Sequence, residues 1–439
     1  MKKILSIMLV AVMLLASCAP AQTPGDETTT PPDTTAAPDT TAAPETTAAP
    51  ETTAEPVFVS ILDLERTEAL TTEFSSDKIK VSDIDKKYLP KTDAAYTYVD
   101  IEAPYMSISG FPFAQTNTLK YYRLDYALYN KYPAGSGDSV QGLAHDSAGG
   151  RVRFKTDADK ISVNVALTSI GRMNHMPDTG TSGCDVYVGT GANPVWVGTI
   201  HPGTSGETYN KEIALPAGTK EVMIVLPLYS GIKTMSIGFP ADASVSSPDP
   251  YLIQDPVVYY GSSITQGACA SRPGMSYTDI TTRMLGANLV NLGFSSSAKG
   301  ETIVAETIAR IKMSAFVYDY DHNGDIANLR KTHYDFYKVI RQAQPDVPII
   351  MISRFSWGYS DSDDALNQRR DIIKTTYKKA VAEGDKNVYF IDGADVYPKE
   401  YRGACLVDGT HPNDLGMYFV ANAIYPVLKD ALTKAGYIK

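Results

Sequence analysis

Two rhythms of apolar and polar positions divide the chain. From about Tyr96 to Pro240 the period is two, as in Arg151-Val152-Arg153-Phe154-Lys155 and Ile161-Ser162-Val163-Asn164-Val165-Ala166-Leu167. Further strands read at Asp185 to Val188, Val195 to Val197 and Glu221 to Leu226, with Gly, Asp and Pro clusters between them. Alternation with hardly a helical stretch predicts a β-sandwich or jelly roll. After Pro248-Asp249-Pro250 short apolar strands alternate with amphipathic helices. Strands are expected at Val257 to Tyr260, Leu289 to Phe294, Ala315 to Asp321, Pro348 to Phe355 and Asn387 to Asp392. Helices are expected over about 276–286, 301–312, 333–343, 362–383 and 412–435. That order predicts an α/β fold, a doubly wound parallel five-stranded sheet of flavodoxin-like type, whose ligands bind at the carboxyl ends of its strands.

The first residues follow neither rhythm. Lys2 and Lys3 precede an apolar run from Ile4 to Leu15 that is too short to span a bilayer as a mature helix, and Leu15-Ala16-Ser17-Cys18 follows. This pattern resembles a bacterial lipoprotein signal, which implies lipidation at Cys18, export, and attachment to the membrane or cell surface through the lipid alone. Residues 19–56 are a degenerate Thr, Pro, Ala, Glu and Asp repeat that cannot form a core. They read as an extended tether of roughly 3 Å per residue, up to about 100 Å in all. The expected organisation is therefore signal 1–18, tether 19–56, β-sandwich 57–248 and α/β domain 249–439, with a lead-in strand and short helix within 57–95.

Composition narrows the function. Hydrophobic residues at 43% and charged residues at 21% are ordinary globular values. The net charge of −10 becomes −5 for residues 57–439 once seven tether acids and two signal lysines are set aside. A mildly acidic body with no basic run argues against nucleic acid as a partner. Four cysteines are too few for a disulfide scaffold. Cys269 and Cys405 flank the candidate site in sequence, and either a disulfide between them or two buried thiols fits. The histidines lack ligand spacing, so neither a metal nor another cofactor is expected.

Four local strings carry candidate chemistry. Tyr259-Tyr260-Gly261-Ser262-Ser263-Ile264-Thr265-Gln266-Gly267 turns sharply from a strand through small residues and would place a hydroxyl at the sheet's carboxyl edge. In Val407-Asp408-Gly409-Thr410-His411-Pro412 an aspartate three residues ahead of a histidine can orient its ring, and Pro412 fits the first turn of the last helix. Asn323, after Asp321-His322, can aim an amide at an oxyanion, and so can a backbone N–H near Gly293-Phe294-Ser295-Ser296. Singly, each also reads as a phosphate loop, a cap or a turn. Together they fall at strand ends or before the final helix.

These strings resemble the SGNH, or GDSL-like, hydrolase family over residues 255–436. The resemblance implies Ser263 as nucleophile, His411 as base, Asp408 as its orienter, and oxyanion donors from Ser263, Ser296 and Asn323, with Gly293 as the fallback for Ser296. Ser262 stands where the family has Asp, and Asp321 and Ser296 stand where it has Gly. Gly183-Cys184-Asp185-Val186-Tyr187 resembles the Gly-x-Asp-Leu-Tyr motif of an N-terminal domain joined to one SGNH subfamily. The implied activity is a serine esterase acting on short-chain, above all acetyl, esters of carbohydrates. A lipase or thioesterase, an acyl transferase, or an inert glycan-binding lipoprotein using aromatics such as Trp196 are the alternatives. Arg354, Trp357 and His175 are the candidate substrate contacts, each with a plain structural reading beside it.

Overall fold

The computed structural model describes residues 77–355 and 363–439. The signal with Cys18, the tether, most of the lead-in, and Trp357 lie outside the described residues.

Residues 77–246 build two antiparallel sheets. One joins Ile79–Lys80, Ser244–Ser246, Arg151–Thr156, Lys220–Val225, Cys184–Val188 and Val195–Ile200 in that order, with Ser107–Ser109 also pairing Arg151–Thr156. The other orders Lys91–Thr92, Thr97–Asp100, Ile232–Phe239, Lys160–Leu167 and Thr208–Ala214. Val152 and Phe154 from the first sheet share one core with Ile161, Val163, Val165 and Ile237 from the second, which makes a sandwich.

The alternation that buries Val152 and Phe154 sends Arg151 and Arg153 the other way. Sequence alone reads that face as open to water, yet both arginines are buried. Arg151 lies against the α/β half, its Nε and Nη2 donating to Asp279 Oδ1 at 2.9 and 2.6 Å.

The second half is a parallel sheet of β1 (Ile253–Gly261), β2 (Ala287–Gly293), β3 (Ala315–Asp319), β4 (Ile349–Ile352) and β5 (Val388–Ile391), ordered β2-β1-β3-β4-β5. Its helices are α1 (Ser263–Gln266), α2 (Tyr277–Leu285), α3 (Thr302–Ala309), α4 (Ile326–Ala343), α5 (Asp364–Ala382) and α6 (Asp414–Lys434). Alternate residues of one strand serve opposite layers. Val258, Tyr260, Phe316 and Tyr318 pack with Val304, Leu329 and Phe336, whereas Val257, Tyr259 and Val317 pack with Ile280, Val420 and Ile424. Burial on both faces is why these strands read as continuous apolar runs. Helix α4 begins seven residues before the expected 333, capped by Asp325, whose side chain accepts from Asn328 N. Among the described residues no helix is long and apolar enough to cross a membrane.

The two halves pack as one compact body. Arg123 is fully buried and donates to the carbonyls of Asn291 and Gly293 at 2.9 Å, the last turns of β2. Asp185, the acid of the Gly-Cys-Asp-Val-Tyr string, accepts from Arg272 Nη1 at 2.6 Å and from Gly274 N at 2.9 Å. That string therefore joins the sandwich to the segment following the Ser263 turn.

Candidate active site

The strand β1 ends at Gly261, where a Cβ would meet Asp319 O and Thr265 Oγ1 at 2.0 Å, so only glycine lets the chain turn there. Ser262 caps α1, its hydroxyl accepting from Ile264 N at 3.2 Å. The serine at this family position thus does the work of a cap. Ser263 opens α1 and is 8% exposed, and Tyr229 of the sandwich half donates to its carbonyl at 3.2 Å.

The partner loop arrives by direct lacing. Cys269 N donates to Pro412 O at 3.0 Å, and Asp414 Oδ1 accepts from Ser271 N at 2.8 Å. Pro412 lies outside the last helix, contrary to the expectation that it fills the first turn. Asn413 is the cap instead, because its side chain accepts from Leu415 N and Gly416 N. His411 Nε2 lies 2.9 Å from Ser263 Oγ, and His411 Nδ1 lies 2.7 Å from Asp408 Oδ2. Asp408 Oδ1 also accepts from His411 N at 2.8 Å and Thr410 N at 3.0 Å. Partial burial pushes Asp408 up, but these donors outweigh it and hold the carboxyl down at about 2. Asp408 is ionised under any ordinary condition and fixes the Nδ1–H tautomer.

On the facing side, Asn323 Nδ2 donates to Phe294 O at 3.0 Å, which leaves its second N–H to point elsewhere. Ser296 has φ +56°, the left-handed region, so it adopts the backbone that glycine supplies at this family position. Neither the Ser263 N–H nor the Ser296 N–H has a hydrogen-bond acceptor among the described residues. Gly293 does not serve as the fallback, since its N–H donates to Asn291 Oδ1 at 2.8 Å and a Cβ there would strike Gln266 N at 2.1 Å.

The substrate candidates separate. His175, on a sandwich loop, has its ring centroid 5.5 Å from that of His411. Arg354 sits at the end of β4 beside Asp321, whose carboxylate accepts the Arg354 N–H at 2.8 Å. Burial pushes Asp321 up to about 6 against the pull of that N–H and of the Arg354 and Arg369 charges. Trp196 is exposed and stacks with the Arg272 guanidinium, 4.6 Å from its ring. Cys269 and Cys405 are both buried free thiols rather than the alternative disulfide.

Sequence reasoning missed the supports. Gln266 Oε1 accepts from Ser295 N at 3.0 Å, while its Nε2 donates to Asp146 Oδ2 and Leu228 O. Gln266 stands inside the nucleophile string, but its partners are far away along the chain. Asp319, at the end of β3, accepts from Tyr277 Oη at 2.8 Å and Thr265 Oγ1 at 3.0 Å, which holds the back of α1 against the sheet.

Comparison with known proteins follows the same division. Residues 254–429 match the GDSL-like lipase/acylhydrolase family, and residues 96–245 match the GxDLY model, the N-terminus of SGNH-hydrolase-type esterases. A Bacteroides ovatus protein assigned as a GDSL-like lipase shares 29% identity, with a TM-score of 0.68 over 77% of this chain and 98% of its own. The salicylyl-acyltransferase SsfX3 from a tetracycline biosynthetic pathway shares 19%, with a TM-score of 0.63 over 76% of this chain and 96% of its own. An acetyl xylan esterase from the rumen bacterium Butyrivibrio proteoclasticus aligns more loosely, at 13% identity and a TM-score of 0.47 over 82% of this chain and all of its own. No curated protein matches the chain by sequence.

Proposed function

The chain is an ester hydrolase of the GDSL-like lipase/acylhydrolase family, and from that premise we propose that it removes short acyl groups, acetyl above all, from carbohydrate esters through a serine acyl-enzyme. The observation that carries the reading is the continuous line Ser263 Oγ, His411 Nε2, His411 Nδ1, Asp408 Oδ2, with links of 2.9 and 2.7 Å.

Ser263 gives its proton to His411 Nε2 as Oγ attacks the ester carbonyl, and Asp408 stabilises the imidazolium. The N–H groups of Ser263 and Ser296 and the Asn323 amide receive the developing oxyanion. His411 then protonates the leaving sugar oxygen. Water, deprotonated by the same ring, attacks the acyl-enzyme and releases acid and free serine.

Polar neighbours of the triad favour a hydroxylated substrate over a lipid: His175 lies with its ring 5.5 Å from that of His411, and Asn323 donates to Phe294 O beside Ser295 and Ser296. The signal-like residues 1–18 and the tether support placement at the bacterial surface through a lipid on Cys18.

The test compares p-nitrophenyl acetate, butyrate and octanoate on the wild type and on Ser263→Ala, followed by acetate release from acetylated oligosaccharides. Turnover that is highest on acetate, falls with chain length and drops at least about 10³-fold in the variant is expected. Near-normal turnover by a folded Ser263→Ala protein overturns the mechanism, and preference for octanoate overturns the substrate class.

A further inference from the structure

We infer that His175, Cys269 and His411 form a binding site for a divalent cation of the zinc class, and that filling it takes the catalytic imidazole out of use. One ligand atom from each of the three lies within 4.8 Å of the other two. They come from a sandwich loop, from the turn after the nucleophile and from the loop ahead of α6, so no spacing along the sequence announces them.

Each ring has one nitrogen already matched to an oxygen acceptor. His175 Nδ1 lies 2.9 Å from Asn174 Oδ1, and His411 Nδ1 lies 2.7 Å from Asp408 Oδ2. Each ring in its neutral form donates that N–H and keeps Nε2 as the lone-pair nitrogen. An oxygen acceptor behind each ring is the usual outer shell of metal-bound histidine. Two imidazoles on one tetrahedral zinc, with Zn–N of roughly 2.0 Å, hold their ring centroids ~5 Å apart. The observed separation is 5.5 Å, with the planes inclined by 54°.

Cys269 supplies the soft third donor. Burial first, and the Asp408 charge second, push its thiol up to about 12, so it is no nucleophile at neutral pH. A cation binding there releases one proton to solvent and leaves a thiolate whose charge it neutralises. One thiolate and two neutral imidazoles leave the fourth position of a tetrahedral ion for water or an anion, on the side of Ser263, whose Oγ is 2.9 Å from His411 Nε2.

His411 Nε2 cannot hold a cation and accept the serine proton together, so the loaded protein is silent toward esters. This consequence rests on His411 as general base; the coordination does not.

Cobalt(II) is the probe, because its thiolate ligation gives a near-ultraviolet charge-transfer band that needs no ester. Titrated into the folded protein it is expected to produce that band, to lose it on adding zinc, and to produce none in Cys269→Ser. Zinc is expected to inhibit p-nitrophenyl acetate hydrolysis at a concentration at least about 100-fold lower in the wild type than in Cys269→Ser or His175→Ala, each judged against its own metal-free rate. Absence of the band in the wild type overturns the site, and so does equal zinc inhibition of wild type and His175→Ala, the loop variant that decides if Cys269→Ser does not fold. Ester turnover with no band rejects the cation site and leaves the esterase reading; the band with no turnover does the reverse.

Discussion

Gln266 Nε2 donates to Asp146 Oδ2 at 2.9 Å, which couples a carboxyl group of the sandwich half to the loop that carries Ser296. Burial pushes Asp146 up to about 7, while Arg123 and Gln266 pull it back. In the unfolded chain an aspartate titrates at about 3.9. The folded state therefore binds more protons between those values. Its advantage is complete below about pH 4 and is lost as pH rises through about 7. Asp146→Asn keeps an oxygen for Gln266 and removes the titration. Urea midpoints measured from pH 4 to 8 are expected to fall in the wild type and to stay flatter in the variant; equal slopes exclude Asp146 as their source.

Ser296→Gly keeps the N–H and removes an L side chain from a left-handed backbone, which costs such a residue roughly 1–2 kcal/mol. Part of that is returned as extra entropy of the unfolded chain, about 0.5–1 kcal/mol. A net gain of up to about 1 kcal/mol is expected, with kcat for p-nitrophenyl acetate changed little. A hundredfold drop in kcat would assign the work to the hydroxyl rather than the backbone.

Asn323→Ala removes one of the proposed oxyanion donors. Steady-state kinetics should show kcat lowered by about 10²–10³ with KM nearly constant. A change confined to KM would move Asn323 from transition-state stabilisation to ground-state binding.

Arg151 and Asp279 are each 1% exposed at the side chain, so Arg151→Met takes one of two cations from a buried carboxylate and leaves Arg283 as its remaining ion-pair partner. A loss of about 3 kcal/mol in denaturation is expected, the low end for a broken buried pair because Arg283 remains, with part of it recovered when Asp279→Leu and Arg283→Met are added. A single variant as stable as wild type would show that the pair contributes nothing.

The parallel sheet was legible because its strands are buried on both faces: Phe316-Val317-Tyr318 admits no polar position. Thr208–Ala214 was missed because it reads Thr-Tyr-Asn-Lys-Glu-Ile-Ala at the sheet edge, mostly exposed, with no clean alternation. The start of α4 was hidden behind His322-Asn323-Gly324-Asp325, which locally reads as a turn but ends in a cap. Ser263, Asp408, His411 and Asn323 could be named from short strings because each needs its own local backbone. Asp146 and Gln266 could not, since their pairing joins positions 120 residues apart, and Cys269 could be read as a thiol beside the site but not as a neighbour of His175.

Asp185 grips Arg272 and Gly274, and its string was visible before any fold was known. The boundary near 248 is therefore crossed by buried polar contacts. Cut there, the later half would lose the acceptor of Arg272 and one of the two cations on Asp279, and the earlier half would expose Arg123 and Arg151. Each half thus carries buried charge that only the other half answers, and the two are expected to fold as one unit.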